Sequence, residues 1–324
     1  MYSAIAADMP NLRPLACGFS KRAGTLPLYW AGSGVELLFT GQALCLRFEA
    51  DFTVHAPWIA AELNGAQILR MPLNRGRNEV CLFQGMTDGV PKHIRVFKET
   101  QPITDDTRRR LDVTRLSWEG GSFLPLPALD VHLEFIGDSL TSGEGIVGAR
   151  SETDWVSALF SASRTWARLT ADQLNASFCT VSQSGWGVCS GWDGDLSHVL
   201  PSWYEETASL RNQEPSAILV NLGTNDASAI QSGMVSMEDF DEAACHFLQT
   251  LRNKHPRAKL VWAYGMLGDV LRPHLEQIIS RFDGAWYLPL PPMTEETEGS
   301  RQHPGPLCHQ AAAQVTANFL KTIL

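Results

Sequence analysis

The chain has 324 residues, 44% of them hydrophobic and 19% charged, the balance of a water-soluble globular protein with room for two domains. Its formal net charge of −9 argues against a nucleic-acid partner, because phosphate contacts need a basic surface; an uncharged ligand such as a sugar is compatible with it. No run reaches the roughly eighteen consecutive apolar residues of a membrane span, so no membrane partner is expected.

The N-terminal stretch "MYSAIAADMPNLRPLACGF" has neither a basic n-region nor a long apolar core, so no signal peptide is expected. The seven cysteines form no CxxC and no tight cluster, which predicts reduced, mostly buried thiols and a cytoplasmic protein.

The first third reads as strands. In "ALCLRFEA", Leu44, Leu46 and Phe48 alternate with Cys45, Arg47 and Glu49, the period of a half-buried strand. "WIAAELNGAQILRM" carries Asn64-Gly65 between two apolar runs, a hairpin signal because both residues tolerate positive φ. Asp88-Gly89 marks another turn before the alternating "HIRVFKE". The charge cluster "TDDTRRRLD", residues 104 to 112, reads as a solvated loop. No convincing amphipathic helix precedes about residue 120. Short strands at this spacing predict a β-sandwich over residues 1–125.

Gly and Pro cluster in "GGSFLPLPALD", residues 120 to 130, and the pattern then changes. Strand-like runs "VHLEFIG", "SFCTV", "AILVNLG", "KLVWAYG" and "AWYLPL" alternate with helical patterns. In "SMEDFDEAACHFLQTLRNKHP", Phe240, Ala244, Phe247, Leu248 and Leu251 share a helical face, and Ser236 with Asp239 resembles a capping box. "HQAAAQVTANFLKTIL" is again amphipathic. Alternating β and α units predict a parallel sheet with helices on both faces over residues 126–324. Functional groups in such sheets gather at the carboxyl ends of the strands, where Ser139, Asn225 and His303 fall.

Ser139 follows the first of these strands in "LEFIGDSLTSGEG". A serine between a strand and a helix is ordinarily an N-cap, and its hydroxyl is a weak nucleophile unless a base takes its proton. A base is available in His303, set against Pro304 in "RQHPGPLCHQ". Oxyanion donors are available in the Gly185 N–H of "SQSGWGV" and the Asn225 amide of "NLGTNDAS". Each alone is weak evidence, since Gly and Asn are common loop residues.

Four such features in order, at strand ends of one parallel sheet, resemble the SGNH or GDSL-type hydrolase superfamily. The matching blocks are "GDSL" at Gly137–Leu140, "SGWG", "GTND" at Gly223–Asp226 and "HP" at His303–Pro304. The resemblance covers roughly residues 130 to 324. It implies a flavodoxin-like, three-layer α/β/α domain, with Ser139 as nucleophile and His303 as general base and then acid. It further implies an oxyanion hole from the Ser139 and Gly185 N–H groups with the Asn225 amide. Asp226 is expected to stabilise the loop that aims Asn225. Such chemistry needs neither metal nor organic cofactor, and Cys308 with His309 lacks the further ligands of a metal site.

One element of the pattern is missing. Family members usually carry an Asp two or three residues before the histidine, and here Ser300 stands in that place. Loss of the orienting acid costs a serine protease about 10⁴ in kcat, so another group must hold the His303 Nδ1–H. A backbone carbonyl around Ser300 to Gln302, Glu298 and Ser300 Oγ are the choices, and Gly299 favours the carbonyl by making the loop adaptable.

The missing acid and the β-rich N-terminal third together resemble the family-2 carbohydrate esterases. These join a jelly-roll-like β domain to an SGNH domain, and some use a Ser-His dyad with main-chain help. "YWAGSGVELLFTG", residues 29 to 41, is similar to that family's N-terminal strand pair. The resemblance implies removal of acetyl groups from xylan- or mannan-derived oligosaccharides. Trp186, Trp192 and Trp203 lie beside Gly185 and suit pyranose faces, and Asp193 and Asp195 suit sugar hydroxyls, although tryptophans are also common core anchors. The competing readings are a small-acyl carboxylesterase or thioesterase, and a carbohydrate-binding protein whose hydrolase half has decayed.

Overall fold

The computed structural model describes residues 2–15, 24–208 and 213–324, which form two compact units. The first contains the described residues up to Ala128 together with Val156–Ala158; the second contains Leu129–Trp155, Leu159–Ala208 and Gln213–Leu324.

The first unit is built from antiparallel strands. In chain order they are β1 (Tyr2–Ile5), β2 (Arg13–Leu15), β3 (Leu26–Pro27), β4 (Gly34–Phe39), β5 (Ala43–Asp51) and β6 (Trp58–Leu63). They continue with β7 (Ala66–Pro72), β8 (Gly76–Phe83), β9 (Lys92–Lys98), β10 (Arg110–Glu119) and β11 (Phe123–Leu124). One sheet runs β1-β10-β5-β8 and the other β11-β4-β9-β6-β7, with β3 paired to β10 and β2 to β4. Leu44, Leu46 and Phe48 of one sheet and Val35, Leu37, Ile94 and Val96 of the other bury their side chains in one core. The predicted alternation in β5 is therefore the inward face of a β-sandwich.

Asn64 and Gly65 join β6 to β7 with φ of 51° and 82°, the double left-handed turn that a two-residue hairpin requires. Two expectations change. Residues 29 to 41 supply one strand, β4, rather than a pair. The 104–112 cluster is more ordered than a solvated loop: Arg110, Leu111 and Asp112 open β10. Within the same cluster, the buried Asp106 carboxylate accepts from the Thr53 N–H, the Thr53 hydroxyl and the Arg108 N–H.

The second unit carries five parallel strands, β12 (His132–Gly137), β13 (Ser177–Ser182), β14 (Ala217–Asn221), β15 (Lys259–Tyr264) and β16 (Ala285–Pro289). Their order is β13-β12-β14-β15-β16. The helices are α1 (Ser139–Ser142), α2 (Trp166–Gln173), α3 (Leu200–Glu206), α4 (Thr224–Gln231), α5 (Met237–Lys254), α6 (Arg272–Ile279) and α7 (Pro306–Ile323). Right-handed crossovers leaving the centre in opposite directions place their helices on opposite faces, so α2 packs with α7 and α5 with α6. The α5 start is a full capping box: Ser236 Oγ accepts the Asp239 N–H, and the Asp239 carboxylate accepts the Ser236 N–H. Among the described residues, no helix is long and apolar enough to cross a membrane.

The expectation of reduced thiols fails at Cys179 in β13, which is disulfide-bonded. Cys45, Cys81, Cys189, Cys245 and Cys308 are free, and Cys81 is exposed rather than buried. Cysteine usage therefore gives no support to a reducing compartment.

His309 in α7 is fully buried, and its Nδ1 accepts the Trp166 N–H at 3.1 Å. That bond requires the neutral ring, and burial pushes its pKa down to about 3 from an ordinary 6.5. Below pH 6.5 the unfolded chain takes up a proton that the native ring refuses, so this part of the stability is complete above pH 6.5 and falls toward pH 3. Between pH 7.5 and pH 5, His309→Gln should lose about 2 kcal/mol less unfolding free energy than the parent in urea titrations. Equal losses would show that His309 does not set the acid limb.

Candidate active site

The order β13-β12-β14 makes the chain reverse its direction of travel between β12 and β14, the place in such sheets where ligand sites form at the carboxyl ends. Gly137 closes β12 because no side chain fits: a Cβ would lie 2.1 Å from Thr141 Oγ1. Asp138 caps α1, its Oδ1 accepting the Leu140 N–H at 3.0 Å. Ser139 is thus the first residue of α1, buried at 6% exposure.

The structure brings Ser139 and His303 together. Ser139 Oγ and His303 Nε2 are 2.9 Å apart, and His303 Nδ1 lies 2.8 Å from the Arg301 carbonyl. A carbonyl can only accept, so Nδ1 carries the proton and Nε2 is left to accept from the Ser139 hydroxyl. Of the three ways to hold Nδ1–H, the backbone carbonyl is the one found. Glu298 is instead paired with Arg150 at 2.6 Å, and Ser300 Oγ points to the Gly145 carbonyl at 3.4 Å.

Arg301 and Gln302 achieve this in left-handed conformations, with φ of 56° and 58°. For non-glycine residues that geometry costs roughly 1–2 kcal/mol each and needs support from its surroundings. The support is dense. The Ser300 N–H donates to Gly145 O at 3.0 Å, the Arg301 N–H to Glu152 O at 2.9 Å and the His303 N–H to Ser300 O at 3.0 Å. The Arg301 side chain donates to Glu144 Oε1 at 2.9 Å and Thr153 O at 2.7 Å. Gly145, at φ 76°, admits the loop: a Cβ there would lie 2.5 Å from Ser300 O and 2.7 Å from His303 Cβ.

Gly185 and Asn225 sit at the ends of the neighbouring segments. Among the described residues, neither the Ser139 nor the Gly185 N–H has a protein acceptor. Asn225 Nδ2 donates to Trp186 O at 2.9 Å and to Asp138 Oδ2 at 3.3 Å. Asp226 is fully buried, and its carboxylate accepts the N–H groups of Val188, Cys189 and Ser190. It therefore holds the loop that follows Gly185. Burial raises the pKa of both acids, to about 7 for Asp138, where the nearby Asp226 carboxylate adds to the cost of ionising.

The aromatic residues divide. Trp186 stacks on His198 with ring centroids 5.2 Å apart and meets Trp203 edge-on at 5.6 Å, so these two tryptophans form a half-buried cluster. Trp192 stands apart at 60% exposure, its backbone N–H donating to Gly185 O at 3.0 Å. Asp193 is exposed and accepts the Asp195 N–H, while Asp195 accepts both the N–H and hydroxyl of Ser197. Sequence reasoning missed Glu144, His198 and the Arg301 side chain, and narrowed the Nδ1–H acceptor only to a carbonyl around Ser300 to Gln302. Glu144 had a visible signal, as the lone acid within the small-residue run after Ser139.

Residues 135–312 match the model of the GDSL-like lipase/acylhydrolase family. An acetyl xylan esterase from the rumen bacterium Butyrivibrio proteoclasticus is similar with a TM-score of 0.93 and 33% identity, covering 100% of this chain and 99% of that one. A family-two carbohydrate esterase from Clostridium thermocellum, solved with cellohexaose, shares the fold at a TM-score of 0.85 and 21% identity, covering 96% and 98%. The cellulase/esterase CelE of Acetivibrio thermocellus is 24% identical over 309 residues, 88% of this chain but 36% of that protein. The chain thus spans about a third of that curated relative. With these neighbours among carbohydrate esterases, the chain belongs to the GDSL-like lipase/acylhydrolase family, a family of carboxylic ester hydrolases.

Proposed function

We propose that the chain is a serine esterase that removes O-acetyl groups from acetylated oligosaccharides of the xylan or mannan type. The observation that carries this reading is the hydrogen-bonded relay from Ser139 through His303 to the Arg301 carbonyl. Similarity along the whole chain to an acetyl xylan esterase supports the acetyl and sugar parts of it.

In this reading Ser139 Oγ attacks the acetyl carbonyl carbon while His303 Nε2 takes the hydroxyl proton. The carbonyl oxygen gains negative charge and is met by the Ser139 and Gly185 N–H groups. Asn225 joins them by turning one Nδ2 hydrogen away from Asp138, the longer of its two bonds. Collapse expels the sugar oxygen, which receives the proton from His303. Water, activated by the same imidazole, then hydrolyses the acetyl-enzyme and releases acetate. The Arg301 carbonyl keeps the imidazole aimed through both halves. The exposed Trp192 ring beside Gly185 offers an apolar face to a pyranose, with Asp193 able to accept a hydroxyl at its rim. The absent acid is the best argument for a decayed binding protein, and the Arg301 carbonyl answers it by supplying the acceptor for Nδ1–H.

Release of acetate from acetylated xylo- and manno-oligosaccharides, compared with turnover of acyl thioesters, tests the substrate class; faster thioester turnover would overturn it. Ser139→Ala should abolish acetyl release with the fold intact, and an unchanged rate would remove Ser139 from the nucleophile's role. Asn225→Ala should lower kcat by about 10²–10³; a change confined to KM would instead mark a substrate-positioning amide. Because Glu298 pairs with Arg150, Glu298→Gln should leave kcat within about twofold, whereas a loss near the 10⁴ of a missing triad acid would make it a distant third member.

A further inference from the structure

We propose that Glu144 is a positioning residue: by pairing with Arg301 it holds the Arg301 carbonyl in place and so fixes His303 as the Nδ1–H tautomer that faces Ser139. The proposal rests on the reading of Ser139 and His303 as nucleophile and base.

The Glu144 side chain is 4% exposed. A buried carboxylate is retained only with partners that satisfy it. The partner is Arg301, whose Nε donates to Oε1 at 2.9 Å. The other oxygen, Oε2, is 4.0 Å from His303 Nε2, beyond hydrogen-bond reach, and that nitrogen is already engaged by Ser139 at 2.9 Å. Glu144 therefore takes no proton from the imidazole and acts at one remove. The next residue contributes from the main chain, Gly145 O accepting the Ser300 N–H. The turn that carries the nucleophile thus grips, by one side chain and one carbonyl, the loop that carries the base. Residues 301 and 302 are left-handed without being glycine, so their conformation depends on such grips. Cutting the ion pair frees the Arg301 carbonyl to move, and Nδ1–H loses its fixed acceptor. With no carboxylate present to select the tautomer, the ring then samples the form protonated at Nε2, which cannot accept from Ser139.

The test reads the tautomer directly, by ¹⁵N–¹H NMR of the His303 ring in the parent, Glu144→Gln, Arg301→Met and the double variant. The parent should show the Nδ1–H form alone, and Glu144→Gln both forms. On an aryl acetate, kcat of Glu144→Gln should fall about 10²-fold, the scale of a 1 Å misplacement, with KM within about twofold. The double variant should be no slower than the slower single one, because both changes cut the same link. Persistence of the Nδ1–H form alone in Glu144→Gln would overturn the proposal, as would multiplicative losses in the double variant. Should Glu144→Gln fail to fold, the double variant removes both charges and carries the tautomer measurement, with the same two outcomes. A parent that hydrolyses no ester, yet whose tautomer responds to Glu144→Gln, would defeat the esterase reading and leave this one standing.

Discussion

The hydrogen bond from His303 Nδ1 to the Arg301 carbonyl is the constraint on which the site turns. A carboxylate in that place is carried by its own side chain and can be aimed by a rotamer. A carbonyl has no such freedom, because its direction is set by the φ and ψ of its own and adjacent residues. Placing an acceptor there obliges Arg301 and Gln302 to adopt left-handed conformations, and it obliges the surrounding segments to hold them. That obligation explains why Gly145, Glu144, Glu152 and Thr153 all converge on residues 300 and 301. They belong to the stretch that follows Ser139, so the segments bearing Ser139 and His303 are braced together.

The parallel sheet makes that bracing possible. The segments after β12 and β14 meet where the sheet order reverses, and two buried carboxylates then organise what meets there. Asp138 caps the short helix α1 and also receives the Asn225 amide. Asp226, one residue after Asn225, collects the three N–H groups of the segment beyond Gly185. Each is costly to ionise where it lies, and burial pushes their pKa upward. The backbone donors offset part of that cost at both residues. Asp226 therefore holds the loop after Gly185, whereas its position beside Asn225 suggested that it would hold the loop that aims the Asn225 amide.

Much of this architecture is legible in the sequence because it follows from periodicity and local chemistry. The alternation of Leu44, Leu46 and Phe48 and the capping pair Ser236–Asp239 each express a short-range rule. So does the Asn64-Gly65 turn. The charge cluster near Asp106 was less legible, because its acceptor role depends on Thr53, far away in the chain. The tryptophans show the limit of proximity in sequence: Trp186 and Trp203 share an aromatic cluster with His198, while Trp192 between them is exposed. At the site, Ser139 and His303 could be picked out by residue type. The acceptor of Nδ1–H could not be assigned to one residue, since every residue has a carbonyl and side-chain identity says nothing of where it points.

A carbonyl in the triad position also changes the electrostatics of the proposed reaction. It stabilises an imidazolium as a dipole does, more weakly than a full negative charge at the same distance. The Glu144 side chain, 4% exposed, brings one carboxylate oxygen to 4.0 Å from Nε2 while the other accepts from Arg301. Arg301 engages the same carboxylate, so in the proposed reaction Glu144 acts on the ring through the arginine. In the proposed arrangement, the orientation that an aspartate would give comes from a carbonyl whose arginine is held by a glutamate. That arrangement holds only while the arginine stays in place, so in the proposed reaction the backbone of residues 300 to 303 matters as much as the two side chains it aligns.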